Sequence, residues 1–386
     1  MKRLQSIDLM RGIVMIIMAL DHVRDLIHVN AITQSPTNME TTTPILFFTR
    51  IITHLCAPVF VFLAGTSAYI SLMKANDVKK TRKFLLTRGI YLVILEFTVF
   101  NLILFFDPGF HLLMFEVIAT IGFGFILLSL LIRLPARTIG IIGLVIMFCH
   151  NLLALIPFAD GSILKAILSP WFTPTPFSIG QRVLIIGYPP IPWAGIMLVG
   201  FAFGKVFAMP VTPRTRLMLK WGAAFLILFM LLRVINVYGD PVPWSTQRNS
   251  VYTILSFFNI TKYPPSLLFC LLTLGIMFCI LASVGDKKGR LIDIVSVYGK
   301  SPLFYFLLHF LVIHLTLIVI LLLQGYHWNQ LEFATGTFGR PKGAVSGLSL
   351  GAVYVIWVAV VVLLYFPCRW YGGYKTSGKY WWLRYL

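Results

Sequence analysis

Long apolar runs, broken by short polar stretches, dominate the chain. A helix rises 1.5 Å per residue, so about 20 apolar residues cover the hydrocarbon core of a bilayer. Runs of about that length fall at residues 7–28, 45–73, 84–106, 112–132, 138–158, 187–208, 217–237, 265–285, 301–324 and 346–366. The pattern predicts an all-α, polytopic membrane bundle of about ten transmembrane helices. The second and ninth runs are long enough to be tilted or broken. No stretch between runs is long enough to fold as a soluble domain, so residues 1–386 read as one transmembrane domain.

Composition and charge refine this picture. Apolar residues make up 58% of the chain and charged residues 12%, against roughly 45–50% and 25% in soluble domains. The surface of a folded soluble protein could not absorb that excess. A formal net charge of +19 would suggest nucleic acid in a soluble chain. Here the basic residues lie in short runs between apolar stretches, which fits membrane orientation, and no nucleic-acid partner is expected. With the N-terminus inside, the inner segments hold most Lys and Arg, including Lys2, Arg3, Lys79, Lys80, Arg82, Lys83, Lys379 and Arg384, while the first two outer loops hold none. That bias predicts both termini in the cytoplasm and a cell-membrane location, the inner membrane if the source is bacterial.

Met1-Lys2-Arg3 looks like a secretory n-region, but the run after it carries Asp8, Arg11, Asp21 and His22 and lacks a small-residue cleavage site. It reads as a retained first span. The cysteines Cys56, Cys149, Cys270, Cys279 and Cys368 have neither zinc spacing nor a disulfide framework. They read as small buried apolar residues, with no metal cofactor expected. Tyr188-Pro189-Pro190 and Tyr263-Pro264-Pro265 each stand before a span, where proline suits a first helical turn.

An ionisable side chain inside a bilayer is costly and therefore a functional candidate. Arg11 and His22 are eleven residues apart, three helical turns plus about 20°, so one helix face joins a cation near the inner edge to a base near the outer edge. Asp21 and Arg24 flank that base. The competing reading has Arg11 snorkelling to lipid phosphates and Asp21, His22 and Arg24 capping the outer helix end. In the second span Arg50 and His54 share a face, and Pro58 is expected to free a backbone carbonyl near His54 and kink the helix. Gly65, Ser67 and Ala68 then permit close helix contact. Glu96, Asn101, Glu116, His150, Asn151, His309 and His314 are weaker candidates, each with an ordinary interhelical hydrogen bond as the alternative. Of these His309 is the best, because it follows Tyr298-Gly299-Lys300-Ser301-Pro302. That segment can offer a cation and backbone N–H groups to a phosphate, although Ser301 with Pro302 at N1 is also an ordinary helix start.

Ile7-Asp8-Leu9-Met10-Arg11-Gly12, followed by Met18-Ala19-Leu20-Asp21-His22, resembles the first span of the heparan-alpha-glucosaminide N-acetyltransferase catalytic-domain family. Arg followed by His after ten residues is also a hallmark of the related type 3 membrane acyltransferases. Ala57-Pro58-Val59-Phe60-Val61-Phe62-Leu63-Ala64-Gly65-Thr66-Ser67 resembles the second-span motif, and Pro192-Trp193-Ala194-Gly195 and Gly299-Lys300-Ser301-Pro302-Leu303 resemble later signatures. The most specific motifs fall in residues 7–68.

The resemblance implies an acyltransferase that takes an acyl group, acetyl above all, from cytoplasmic acyl-CoA as co-substrate and gives it to a sugar or glycan acceptor across the lipid bilayer. The lysosomal member has Asn at the position of His22 and its catalytic His in the loop after the first span. Here the loop at 30–44 contains no His, and His22 and His54 are the histidines near the outer mouth. The site expected is His22 as general base or acyl carrier, Asp21 orienting it, His54 beside it, and Arg11, Arg50, Arg88, Lys300, Ser301 and His309 holding the acyl-CoA. The rival class is a proton-coupled transporter or flippase of a small anionic or saccharide solute, since the same polar face could carry protons. A scaffold without chemistry is the third reading, and a homodimer is left open.

Overall fold

The structure is a computed structural model that describes residues 4–155, 162–285 and 287–376. Lys2, Arg3, Lys379, Arg384 and the end of the fifth expected span lie outside the described residues.

The chain opens with α1 (Gln5–Ile27), α2 (Pro44–Thr53), α3 (Cys56–Ala75) and α4 (Val78–Leu95). A π-helical turn, Glu96–Phe100, leads into α5 (Asn101–Phe105), then β1 (Leu112–Phe115), α6 (Val117–Leu131) and α7 (Ala136–Cys149). Next come α8 (Ile163–Phe172), β2 (Thr175–Ile179), β3 (Arg182–Ile186), α9 (Pro190–Phe203) and α10 (Val211–Ile235). The remainder is α11 (Ser250–Phe258), α12 (Leu267–Val284), α13 (Arg290–Lys300), α14 (Pro302–Leu323) and α15 (Leu350–Thr376). The small sheet has the order β1-β3-β2, with β1 parallel and β2 antiparallel to β3.

The protein is therefore a polytopic helical membrane protein. Among the described residues, eight helical stretches are long and apolar enough to cross a bilayer. The first and fourth expected spans, α1 and α6, fall outside that set for different reasons. α6 has 15 residues, and α1 carries Asp8, Arg11, Asp21, Arg24 and Asp25. A lone charge in lipid costs on the order of 3 kcal/mol, and α1 avoids that cost by standing inside the bundle, packed against α2, α3, α12, α13, α14 and α15. The second expected span is broken, with α2 ending at Thr53 and α3 starting at Cys56. Pro58 has no N–H to offer the carbonyl of His54 one turn earlier, which accounts for the break. The ninth runs unbroken as α14.

Glycines set the closest approaches. A Cβ on Gly12 would collide with the carbonyl of Val295, and one on Gly299 with that of Asp8, so α1 and α13 touch backbone to backbone. Gly65 against Met197 and Gly200 against Phe62 do the same for α3 and α9. Gly12, Gly65 and Gly299 are glycines of the sequence motifs, and small residues at a seam let helices approach closely where lipid supplies no hydrophobic drive.

The two ends of the bundle differ. One gathers Lys74, Lys300 and Lys375 and is here called the basic end. The other carries the long loops. There Arg340 donates to the carbonyls of Leu26, His28 and Ser346, closing loop 325–349 over the C-terminus of α1. Arg233 donates to the carbonyls of Val242, Ser256, Phe257 and Asn259, pinning the loop after α10. Of the cysteines expected to be buried, Cys56, Cys270 and Cys368 are, whereas Cys149 is exposed and Cys279 half-buried. Tyr188-Pro189-Pro190 does enter a helix, with Pro190 the first residue of α9. Tyr263-Pro264-Pro265 ends before the N-cap Ser266 of α12.

Candidate functional site

The polar face of α1 points into protein along its length. Near the basic end, Arg11 Nη2 donates to Ser67 Oγ at 2.6 Å and to the Leu63 carbonyl at 3.0 Å. Ser67 comes from the small-residue stretch of α3, which brings the two helices within reach. Three turns on, His22 meets α14. Its Nδ1 lies 2.6 Å from Nε2 of His309, and its ring lies 4.0 Å from that of Phe310 and edge-on to Phe306 at 6.2 Å.

Asp21 takes a different set of partners. Arg50 Nη1 donates to both carboxylate oxygens at 2.8 Å, Arg24 Nη2 to Oδ1 at 2.6 Å and Thr53 Oγ1 to Oδ1 at 2.7 Å. Lys262 Nζ stands 3.9 Å from Oδ2. A buried carboxylate is tolerated when paired and fully hydrogen-bonded, and this one ties α1 to α2 and to the loop before α12. Asp240 holds that loop by accepting from Thr261 N, Thr261 Oγ1 and Ser266 Oγ at 2.6–2.9 Å. His54, at the break between α2 and α3, is 3% exposed. Its Nδ1 has no hydrogen-bond partner among the described residues.

Two cavities approach this layer from opposite ends. The one at the basic end encloses about 520 Å³ and is lined by Arg11, Lys74, Arg88, Lys300 and Lys375, one acid, Asp8, and deeper apolar residues including Met15, Ile118, Phe125 and Phe306. The one at the loop end encloses about 430 Å³ and is lined by Asp25, Ser35, Thr37, Arg50, His54, Asn259, Thr261, Lys262 and Tyr263. His22 lines neither. Phe306 both lines the first cavity and stands edge-on to the imidazole.

The structure thus sorts the sequence candidates. Arg11, Arg88 and Lys300 share the basic cavity. Arg50 lies instead at Asp21 and the loop-end cavity. His309 pairs with His22, the role expected of Asp21. Ser301 stands at the N-cap of α14 without a capping hydrogen bond, and its Oγ is buried with no partner among the described residues. Three of the weaker candidates, Glu96, Asn101 and His314, make contacts that join elements. Glu96 accepts from the backbone of Glu116 and Ala119 at the start of α6, Asn101 bridges to Met114, and His314 joins the carbonyls of Ile103 and Phe338. The sequence offered Ser67 only as a small packing residue and gave Lys74, Phe306 and Lys262 no place in the site. The signal in the sequence that could have found Lys262 is its place as one of few basic residues in the segments expected outside. Among the described residues, no three His, Cys, Asp or Glu stand together as a metal site.

A multi-pass helical bundle with a charged layer between two opposed cavities defines a membrane-embedded protein with a polar interior. The family described as heparan-alpha-glucosaminide N-acetyltransferase, catalytic, matches residues 3–234, and the chain belongs to it. The match takes in Arg11, Asp21, His22, Arg50, His54, Ser67, Lys74 and Arg88, and stops before Lys262, Lys300, Phe306 and His309. Comparison with curated proteins returns no match.

Proposed function

We propose that this protein transfers an acyl group, acetyl in the first instance, from acyl-CoA at the basic end to a hydroxyl or amine of a sugar-like acceptor at the loop end. The observation that carries the reading is the pair of opposed cavities with His22, Asp21 and His54 in the layer between them. The basic end faces the cytoplasm, in keeping with the positive-inside bias. The phosphates of CoA suit Lys74, Arg88, Lys300 and Lys375, and the flexible pantetheine arm suits the apolar depth toward Met15 and Phe306. Rotation of the Phe306 ring opens His22 to the thioester. His54 meets the acceptor from the other side through its unpartnered Nδ1, and His22 takes the acceptor's proton as general base.

The test is acetyl-CoA binding to the protein in lipid nanodiscs, followed by calorimetry. Affinity is expected to fall as sodium chloride is raised, because salt screens the cationic mouth. Arg88→Ala and Lys300→Ala are each expected to cost about 1.5–3 kcal/mol, roughly 10- to 100-fold in Kd. Affinity indifferent to both salt and these substitutions rejects the donor site.

A further inference from the structure

The proton positions of the histidine pair follow from its partners. His309 Nδ1 lies 3.0 Å from the carbonyl oxygen of Tyr305, one turn back along α14. A carbonyl only accepts, so Nδ1 carries the proton. In a neutral ring Nε2 is then an acceptor, and it faces His22 Nδ1 at 2.6 Å. His22 Nδ1 must therefore be the donor. A neutral imidazole has one N–H, so the lone pair of His22 is left on Nε2. In an uncharged pair no other assignment satisfies both contacts. Packing fixes the rings: His309 is wholly buried and stacked on Tyr305 at 5.2 Å and 10°, and His22 lies over Phe310.

We propose that His309 is a positioning residue that holds His22 in the Nδ1–H tautomer, keeping the Nε2 lone pair for the acceptor's proton. The proposal rests on the acyl-transfer reading above. As the acceptor oxygen or nitrogen forms its bond to the acyl carbon, its proton passes to His22 Nε2. The C–S bond of the thioester breaks and its electron pair leaves on sulfur. His22 then returns the Nε2 proton to the thiolate, giving CoA thiol and acylated acceptor. Throughout, His22 Nδ1–H stays on His309 Nε2, which steadies the transient imidazolium. His309 lines neither cavity and acts through His22. Its place lies beyond residues 3–234, the stretch matched by the family.

The experiment compares His309→Phe, which keeps an aromatic ring but removes the acceptor, with His309→Gln, whose amide oxygen can accept. Protein labelled with ¹⁵N-histidine in nanodiscs reports the tautomer of His22, and proteoliposomes with acetyl-CoA inside and glucosamine outside report transfer. The wild type is expected to show His22 protonated on Nδ1 and bare on Nε2. His309→Phe is expected to mix the tautomers and to slow transfer about 100-fold or more, with His309→Gln recovering at least about a tenth of the wild-type rate. Acetyl-CoA affinity is expected to stay within about twofold in both. A wild-type His22 protonated on Nε2 overturns the proposal, even where the Phe variant does not fold. So does a folded His309→Phe that transfers at the wild-type rate. The expected tautomer in a wild type that transfers nothing supports the assignment and overturns the acyl-transfer reading instead.

Discussion

At the scale of single residues, Asp21 is the group on which the layer depends. Arg24 and Arg50 donate to it and Lys262 stands beside it. Asp21→Asn keeps the shape and removes the charge that Arg24, Arg50 and Lys262 share, leaving Asp25 as the remaining carboxylate at Arg24. Breaking a buried pair in this way costs about 3–5 kcal/mol. Thermal unfolding in detergent is expected to show a clear drop in Tm, and an unchanged Tm contradicts the assignment. The spacing of Arg11 and His22 was legible because both sit on one helix, where geometry follows from counting. The partners were not legible. Arg50, Lys262 and His309 come from other elements, and no periodicity says which side chains from separate helices will meet.

At the scale of elements, hydrophobic runs located most spans, and the proline at position 58 foretold a distortion. The hydropathy of α1 was also legible, but its central place was not. A charged helix can lie at an edge or inside a bundle, and the backbone contact with α13 decides between them. The motif glycines were visible as small residues without showing which helix each admits. Gly12→Val is expected to wedge α1 from α13, at an overpacking cost of about 1–3 kcal/mol, and to carry Lys300 away from the basic cavity. A loss of acetyl-CoA affinity in folded protein is the outcome expected by calorimetry. A Gly12→Val protein with wild-type stability and affinity contradicts the seam.

At the scale of the molecule, the bias of Lys and Arg along the chain predicts two unlike ends, and the structure sets one cavity at each. The loop-end cavity was beyond reach of sequence reasoning. It is built from loops around residues 35–37 and 259–263, joined where Asn259 Nδ2 donates to the Thr37 carbonyl at 3.1 Å, while Arg233 and Asp240 pin the second loop from within. Turn-rich segments far apart in the chain carry no pattern that announces such a meeting. On the acyl-transfer reading, donor and acceptor enter from opposite sides and meet at His22.

Proteoliposomes with the protein in one orientation, labelled acetyl-CoA at the basic end and a pool of hexoses and hexosamines at the loop end put that meeting to the test. Label is expected on a sugar across the membrane, with the rate falling at least about 100-fold in His22→Ala and no transfer when the acetyl-CoA is moved to the sugar side. Transfer that ignores the side of the donor, or that survives His22→Ala unchanged in folded protein, contradicts the account.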